Sequence, residues 1–279
     1  MNTLRQYLNQ YKSGHLAVPA FNIDCFEIYQ AVEEVVRETK LPCIVQLSAG
    51  EDKFIQSERL LMLVKKARID GLPIFLNMDH GKDISRLEQL INLGFDMVHF
   101  DGSDLSYQEN LEISKFFVQK IRNSKPDTVL EVEFNKINLI ESGVSIESFT
   151  KPQEAAEFVS ASGADLLAVS IGNLHGVSTE FPEVINLELL SQITAAIPTN
   201  FLTLHGGSGI NPEQINQAIQ TGIVKININT DLRLKYLSSL RHHLSAIKTE
   251  KVYEYLTPVI NDLKEIIKLK ILQFSQSPA

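Results

Sequence analysis

PIFLNMDHGKDISRLEQLINLGFDMVHFDGS, residues 73–103, decides how this chain folds. Two β-rich runs, Pro73–Asp79 and Met97–Ser103, flank a helical pattern, and Gly94 closes that pattern just before the second run, as glycine closes a helix by turning left-handed. Each run ends in polar residues, Asp79-His80-Gly81 and Asp101-Gly102-Ser103. The unit repeats along the chain. Further runs lie at Ala17–Ile23, Pro42–Ser48, Thr128–Phe134, Leu166–Gly172, Asn200–Gly206 and Ile223–Asn229. Between them Glu27–Lys40 keeps Ile28, Ala31, Val32, Val35 and Val36 on one face, and Ser57–Ile69 does the same with Leu60, Leu61, Val64 and Ala67. Pro152 and Pro212 stand where helices begin, the latter behind Asn211 as cap, and Gly71, Gly163 and Gly222 follow helical patterns. Strict strand–helix alternation predicts a parallel sheet covered by helices. Eight units in about 230 residues predict an α/β fold of the closed (β/α)8 TIM-barrel type. No Gly/Ser/Pro-rich linker divides the chain, so residues 1–279 read as one domain. Extra C-terminal helices follow, and Ile266, Ile267, Lys270 and Ile271 mark a terminal helix that packs on the barrel or on another subunit.

Composition sets outer limits. With 44% hydrophobic and 22% charged residues the chain is an ordinary globular one, and no uninterrupted apolar stretch reaches membrane-spanning length. The polar N-terminus lacks the apolar core of a secretory signal, and two cysteines, Cys25 and Cys43, make no disulfide scaffold, so a cytoplasmic location is expected. A formal charge of −8 argues against a nucleic-acid partner. It leaves room for an anionic small molecule, because backbone N–H groups and a metal can make a site locally positive.

Barrel chemistry sits at the C-terminal ends of the strands, and the unusual polar residues collect there. His80, His175 and His205, three of seven histidines, fall at the ends of units three, six and seven. Three imidazoles at one mouth make the ligand set of a catalytic zinc with an open position; each alone would read as a packing residue. His205-Gly206-Gly207-Ser208-Gly209 precedes a helix, an arrangement that brings backbone N–H groups to a phosphate, with Asn229-Thr230 on the next strand beside it. Asp79 reads equally as a general acid/base or as a hydrogen-bond partner that orients a zinc histidine.

Asp79-His80-Gly81, Asp101-Gly102-Ser103, Gly172-Asn173-Leu174-His175-Gly176, His205-Gly206-Gly207-Ser208-Gly209 and Lys225-Ile226-Asn227-Ile228-Asn229-Thr230-Asp231, in this order, resemble the class II ketose-bisphosphate aldolases, the group of fructose- and tagatose-1,6-bisphosphate aldolases. The resemblance runs from Pro19-Ala20-Phe21-Asn22 to the terminal helices. It implies a homodimer or homotetramer that reversibly cleaves a phosphorylated ketose to dihydroxyacetone phosphate and an aldehyde. His80, His175 and His205 are implied as Zn2+ ligands, with Glu133 as an extra metal ligand. Asp79 is implied to move the proton of the C4 hydroxyl, and Glu141, on a loop, the proton at C3. Gly176, Gly206, Gly207, Ser208, Asn227, Asn229 and Thr230 are implied to bind the dihydroxyacetone phosphate portion, beside which some relatives hold a monovalent cation, Na+ or K+. Ser48 matches a position that can touch the other end of the sugar.

Several residues depart from the family pattern. Asn135, Asn138 and Leu139 replace loop glycines before Glu141, Asp104 replaces a common histidine, and Asp24-Cys25 stands where asparagines are frequent. His99 replaces an apolar residue on the inward side of strand four and reads as a core histidine or one that supports a ligand. These departures admit two alternatives: an aldolase for a different phosphoketose, sulfonated or deoxy-inositol-derived, or a relative that binds metal and phosphosugar without catalysis.

Overall fold

The computed structural model describes residues 2–137, 148–174, 176 and 184–276. Eight parallel strands close into one barrel in sequence order: β1 (Val18–Asn22), β2 (Cys43–Leu47), β3 (Ile74–Gly81), β4 (Met97–Asp101), β5 (Val129–Glu133), β6 (Leu166–Ala168), β7 (Phe201–Leu204) and β8 (Ile223–Ile228), with β8 pairing back onto β1. All eight expected runs contain a strand. The sixth is shorter than its run, because beyond Ala168 the backbone finds other partners: Ser170 N–H donates to Thr150 Oγ1 and Ile171 N–H to Asn173 Oδ1.

The helices form where the pattern places them. α4 (Ser57–Ile69) buries Leu60, Leu61, Val64 and Ala67, and α2 (Phe26–Thr39) buries the expected Ile28, Ala31, Val32, Val35 and Val36. α7 (Pro152–Ser162) and α9 (Pro212–Thr221) start on proline, where a missing N–H costs nothing, and Asn211 caps α9 by accepting from Glu213 N–H. α11 (Val252–Ser275) packs on the barrel itself: Ile267 and Ile271 are buried, and Phe274 C=O accepts from Ala17 N–H at 2.9 Å.

Two helices have no counterpart in the sequence reading: the short α3 (Ala49–Ile55), between β2 and α4, and the N-terminal helix. α1 (Leu4–Ser13) opens with a reciprocal capping box between Thr3 and Gln6 and closes the N-terminal mouth of the barrel. Its Leu4, Leu8 and Tyr11 meet the inward residues Ile44, Phe75, Met97, Val129, Leu166 and Phe201. Above this apolar floor the inward positions of the same strands turn polar, from Phe75 to Asn77 and Asp79, from Met97 to His99 and Asp101, and from Val129 to Glu131 and Glu133. Period-two alternation therefore stacks stability at one end of the barrel and chemistry at the other.

Leu8 is fully buried in this floor. Leu8→Ala should lower unfolding free energy by about 2–5 kcal/mol in urea titration, the range for a buried leucine that leaves a cavity, with turnover per folded molecule retained because the floor lies across the barrel from the polar end.

Candidate active site

Asp79 and His80 are consecutive, and on a regular strand they would face opposite sides. The β3–β4 register shifts between Met78 and Gly81, and His80 sits at φ 50°, in the left-handed region. This bulge lets both side chains line one cavity of about 400 Å³ at the C-terminal mouth. A non-glycine residue there stores roughly 1–3 kcal/mol of strain, and such strain persists where surrounding contacts impose it. His80 N–H donates to His99 Nδ1 at 3.2 Å and its ring is fixed by Asp101.

Hydrogen bonds set the tautomers of the two site imidazoles. His80 Nδ1 lies 2.9 Å from Asp101 Oδ2, so Nδ1 carries the hydrogen and Nε2 keeps a lone pair. His205 Nε2 lies 2.8 Å from Glu131 Oε1, and Asn227 Nδ2 donates to His205 Nδ1 at 3.2 Å, so in this ring Nδ1 keeps the lone pair. Those two lone-pair nitrogens are 2.9 Å apart. They repel unless one positive charge lies between them, either a proton or a metal ion. Two ligand nitrogens on a tetrahedral ion with bonds of about 2.0–2.1 Å stand roughly 3.3 Å apart, so a small ligand shift seats such an ion. One donor atom from each of Asp79, His80, His99 and His205 lies within 4.8 Å of every other, and His80, Asp101 and Glu133 form a second such group. The donor set, nitrogen and carboxylate oxygen with carboxylates behind the imidazoles, fits a divalent transition metal.

Charge is distributed accordingly. Burial pushes the His80 imidazole down, but Asp79, the Asp101 hydrogen bond and Glu133 outweigh it, so its pKa is raised. Burial drives His205 down to about 3, against the Glu131 hydrogen bond and helped by the His80 charge. Burial also opposes ionisation of Asp79, yet His80, His99, His205 and Lys225 hold its carboxyl well below the usual range. Its Oδ1 accepts from Asn227 Nδ2 at 3.0 Å and its Oδ2 from Gln46 Nε2 at 3.2 Å. Glu133 goes the other way, to about 8, because burial and the neighbouring Asp101, Glu131 and Asp79 carboxylates outweigh His80. Among the described residues its Oε2 makes no hydrogen bond, and it lies 3.5 Å from His99 Nε2 and 3.7 Å from His80 Nδ1.

Opposite the imidazoles, Gly206, Ser208, Gly176, Asn229 and Thr230 line the same cavity. α10 (Thr230–Ala246) begins here, and Asn229 caps it without a side-chain bond. Gly206 adopts φ 66°, a conformation that glycine takes without cost. Gly207 is packed beneath the loop: its N–H donates to Asn227 C=O at 3.0 Å, and a Cβ there would lie 2.4 Å from Ile226. Ser48, Asn227 and Arg233 complete the lining, with Asn22. Of the residues expected at the site, Ser48, Asp79, His80, Gly176, His205, Gly206, Ser208, Asn227, Asn229 and Thr230 meet around one cavity, and Glu133 is buried beside it. His175 and Glu141 lie outside the described residues.

Other participants were not singled out as site residues. Asp101 and Glu131 brace the two imidazoles, and Lys225 Nζ donates to Glu131 Oε2 at 2.9 Å with both side chains fully buried. The signal for the carboxylates was the run of acidic residues at inward positions near the ends of β4 and β5, Asp101, Glu131 and Glu133. His99, read as core or supporting, is fully buried with its ring 4.8 Å from His80 and 5.0 Å from His205.

The barrel and this cluster define a class: an enzyme with a carboxylate-braced imidazole pair facing a glycine-rich loop. Comparison with known proteins makes it specific. The family described as fructose-bisphosphate aldolase class-II matches residues 2–278, and the chain belongs to it; it is an aldolase, a lyase. It is 33% identical over 250 residues to the fructose-bisphosphate aldolase of Mycoplasma pneumoniae, covering 88% of this chain and 85% of that protein. It is 31% identical over 240 residues to that of Streptococcus pneumoniae, covering 85% and 81%. Among solved structures, the YdjI aldolase from Escherichia coli K12 superimposes with a TM-score of 0.86 at 28% identity, covering 98% of this chain and 97% of that one.

Removing one partner of the buried Lys225–Glu131 pair leaves a desolvated charge. Lys225→Met should cost about 3–5 kcal/mol in denaturant unfolding, and adding Glu131→Gln to it should recover part of that loss.

Proposed function

We propose that this protein is a zinc-dependent aldolase that reversibly cleaves a phosphorylated ketose to dihydroxyacetone phosphate and an aldehyde, working as a single domain on residues 1–279. The observation that carries the proposal is the convergence of His80 Nε2 and His205 Nδ1, 2.9 Å apart, in the cavity that also holds Asp79 and the Gly206–Ser208 loop. His80 and His205, with His175, would hold the ion, and Glu133 would be an additional ligand. The ion supplies Lewis acidity at the ketose carbonyl, which disperses the negative charge that develops as C3–C4 breaks. Asp79, kept anionic by its neighbours and aimed by Asn227 and Gln46, accepts the C4 hydroxyl proton during cleavage and returns it during condensation. Gly176, Gly206, Ser208, Asn229 and Thr230 orient the phosphate end with backbone and side-chain donors at the start of α10. Glu141 would move the C3 proton.

The protein would work as a homodimer or homotetramer. Support comes from α10, where Leu234, Leu237 and Leu244 stand about half exposed at helical spacing. A cytoplasmic enzyme is in keeping with the absence, among the described residues, of a helix long and apolar enough to cross a membrane. A monovalent cation, Na+ or K+, beside the phosphate would suit Asn229 Oδ1, which is buried without a hydrogen-bond partner among the described residues.

Two measurements test the proposal. Asp79→Ala should lower kcat for cleavage by about 10²–10⁴-fold while C3 hydrogen exchange of dihydroxyacetone phosphate with solvent persists; unchanged cleavage would favour a role for Asp79 outside proton transfer. Asp101→Asn should weaken zinc binding about 10- to 100-fold in chelator competition, because it loses the charge that fixes the His80 tautomer. Equal affinity in both proteins would contradict the ligand assignment.

A further inference from the structure

With the phosphate end over β7–β8 and the imidazoles over β3 and β7, the cavity wall over β1 and β2 is left for the other end of the sugar. Among the described lining residues it contains one lysine or arginine, Arg233. That guanidinium is already engaged. Its Nε and one Nη2 hydrogen form a fork on Asp24, at 2.7 and 2.9 Å, and Nη2 also donates to Glu51 Oε1 at 2.7 Å. Glu51, nearly fully buried, is held under the wall by Ser48 N–H at 2.6 Å and Asn22 Nδ2 at 3.0 Å. Asp24 alone matches the Arg233 charge, and the buried Glu51, whose pKa burial raises, takes a further guanidinium donor, so this wall offers no net positive charge. A phosphate carries close to two negative charges at neutral pH and binds where donors are unspent; here it would meet Asp24 and Glu51 and would have to displace them. The two Nη1 hydrogens of Arg233 are uncommitted among the described residues, and they suit a hydroxyl oxygen. The undescribed stretches 138–147 and 177–183 contain no lysine or arginine in their sequence. A second cleft lies beyond His80; its Lys82 pairs with Asp104 and its Arg86 with Asp52 at 2.9 Å, and its third cation, the exposed Lys53, shares that cleft with Asp52 and Asp83 and does not line the wall that carries Arg233.

Resting on the aldolase reading above, we infer that the substrate carries phosphate at the ketone end only, and that its aldehyde end is an uncharged polyhydroxy chain selected by the Asp24–Arg233–Glu51 triad. The protein is thus a ketose 1-phosphate aldolase by charge, and Asp24 and Glu51 are the residues that exclude a bisphosphate.

The test is condensation of dihydroxyacetone phosphate with glyceraldehyde or with glyceraldehyde 3-phosphate by the zinc-loaded enzyme. Solvent-deuterium exchange at C3 of dihydroxyacetone phosphate is measured alongside, since it needs no aldehyde. The expected result is exchange together with a kcat/KM at least tenfold higher for glyceraldehyde, and Asp24→Asn, which is isosteric, should narrow that ratio at least fivefold. Exchange with equal or better use of the phosphorylated aldehyde overturns this inference and leaves the aldolase reading standing. A ratio unmoved by both Asp24→Asn and Glu51→Gln, each retaining exchange, removes the triad as its cause. Absence of exchange in the unaltered protein overturns the aldolase reading itself.

Discussion

Two imidazole lone pairs held 2.9 Å apart inside a protein are mutually repulsive, and much of the polar half of this barrel is arranged around keeping them there. Each ring is turned by a carboxylate on the neighbouring or facing strand. Those carboxylates need support in turn. Ser103 N–H and Oγ donate to Asp101 Oδ1 at 3.0 and 2.6 Å, and Lys225 answers Glu131 from across the barrel. The order of dependence runs from Lys225 through Glu131 to His205, and from Ser103 through Asp101 to His80. Buried ion pairs are poor devices for stability, because desolvation cancels most of their attraction. Their value here is that they fix which nitrogen of each ring faces the cavity.

Barrel geometry makes this affordable. The β4–β5 register puts His99 beside Glu131 and Asp101 beside Glu133, and alternation along each strand turns all four inward. The same alternation one layer lower gives Met97 and Val129, which α1 seals from water. Stability and function therefore occupy different layers of the same strands. The polar layer can carry a bulged His80 and an unsatisfied Glu133 because the floor and the helical shell bury a large apolar core.

How much of this the sequence disclosed follows from the range of each interaction. Strand–helix alternation is local, so the barrel and the polar strand ends could be read directly, and with them His80, His205 and the glycine loop. The bulge at Asp79-His80 was not legible, because it depends on how β3 pairs with β4. Glu131 and Lys225 are 94 residues apart, and Arg233 lies 209 and 182 residues from Asp24 and Glu51; only the closed barrel makes neighbours of them. α1 carries a weak signal, because its stripe of Leu4, Leu8 and Tyr11 is thin and most of its other residues are polar, although Thr3 and Gln6 announce a capping box. His99 remained ambiguous because an inward histidine in a strand has the same local pattern whether it packs, supports or ligates.

What sits between His80 Nε2 and His205 Nδ1 decides the chemistry of this barrel. Crystals of protein purified without added chelator, measured on both sides of the zinc absorption edge, give the direct answer. The prediction is one anomalous peak within bonding distance of both nitrogens that vanishes below the edge. A map with no such peak there, from protein that still turns over substrate, would contradict the account at its root.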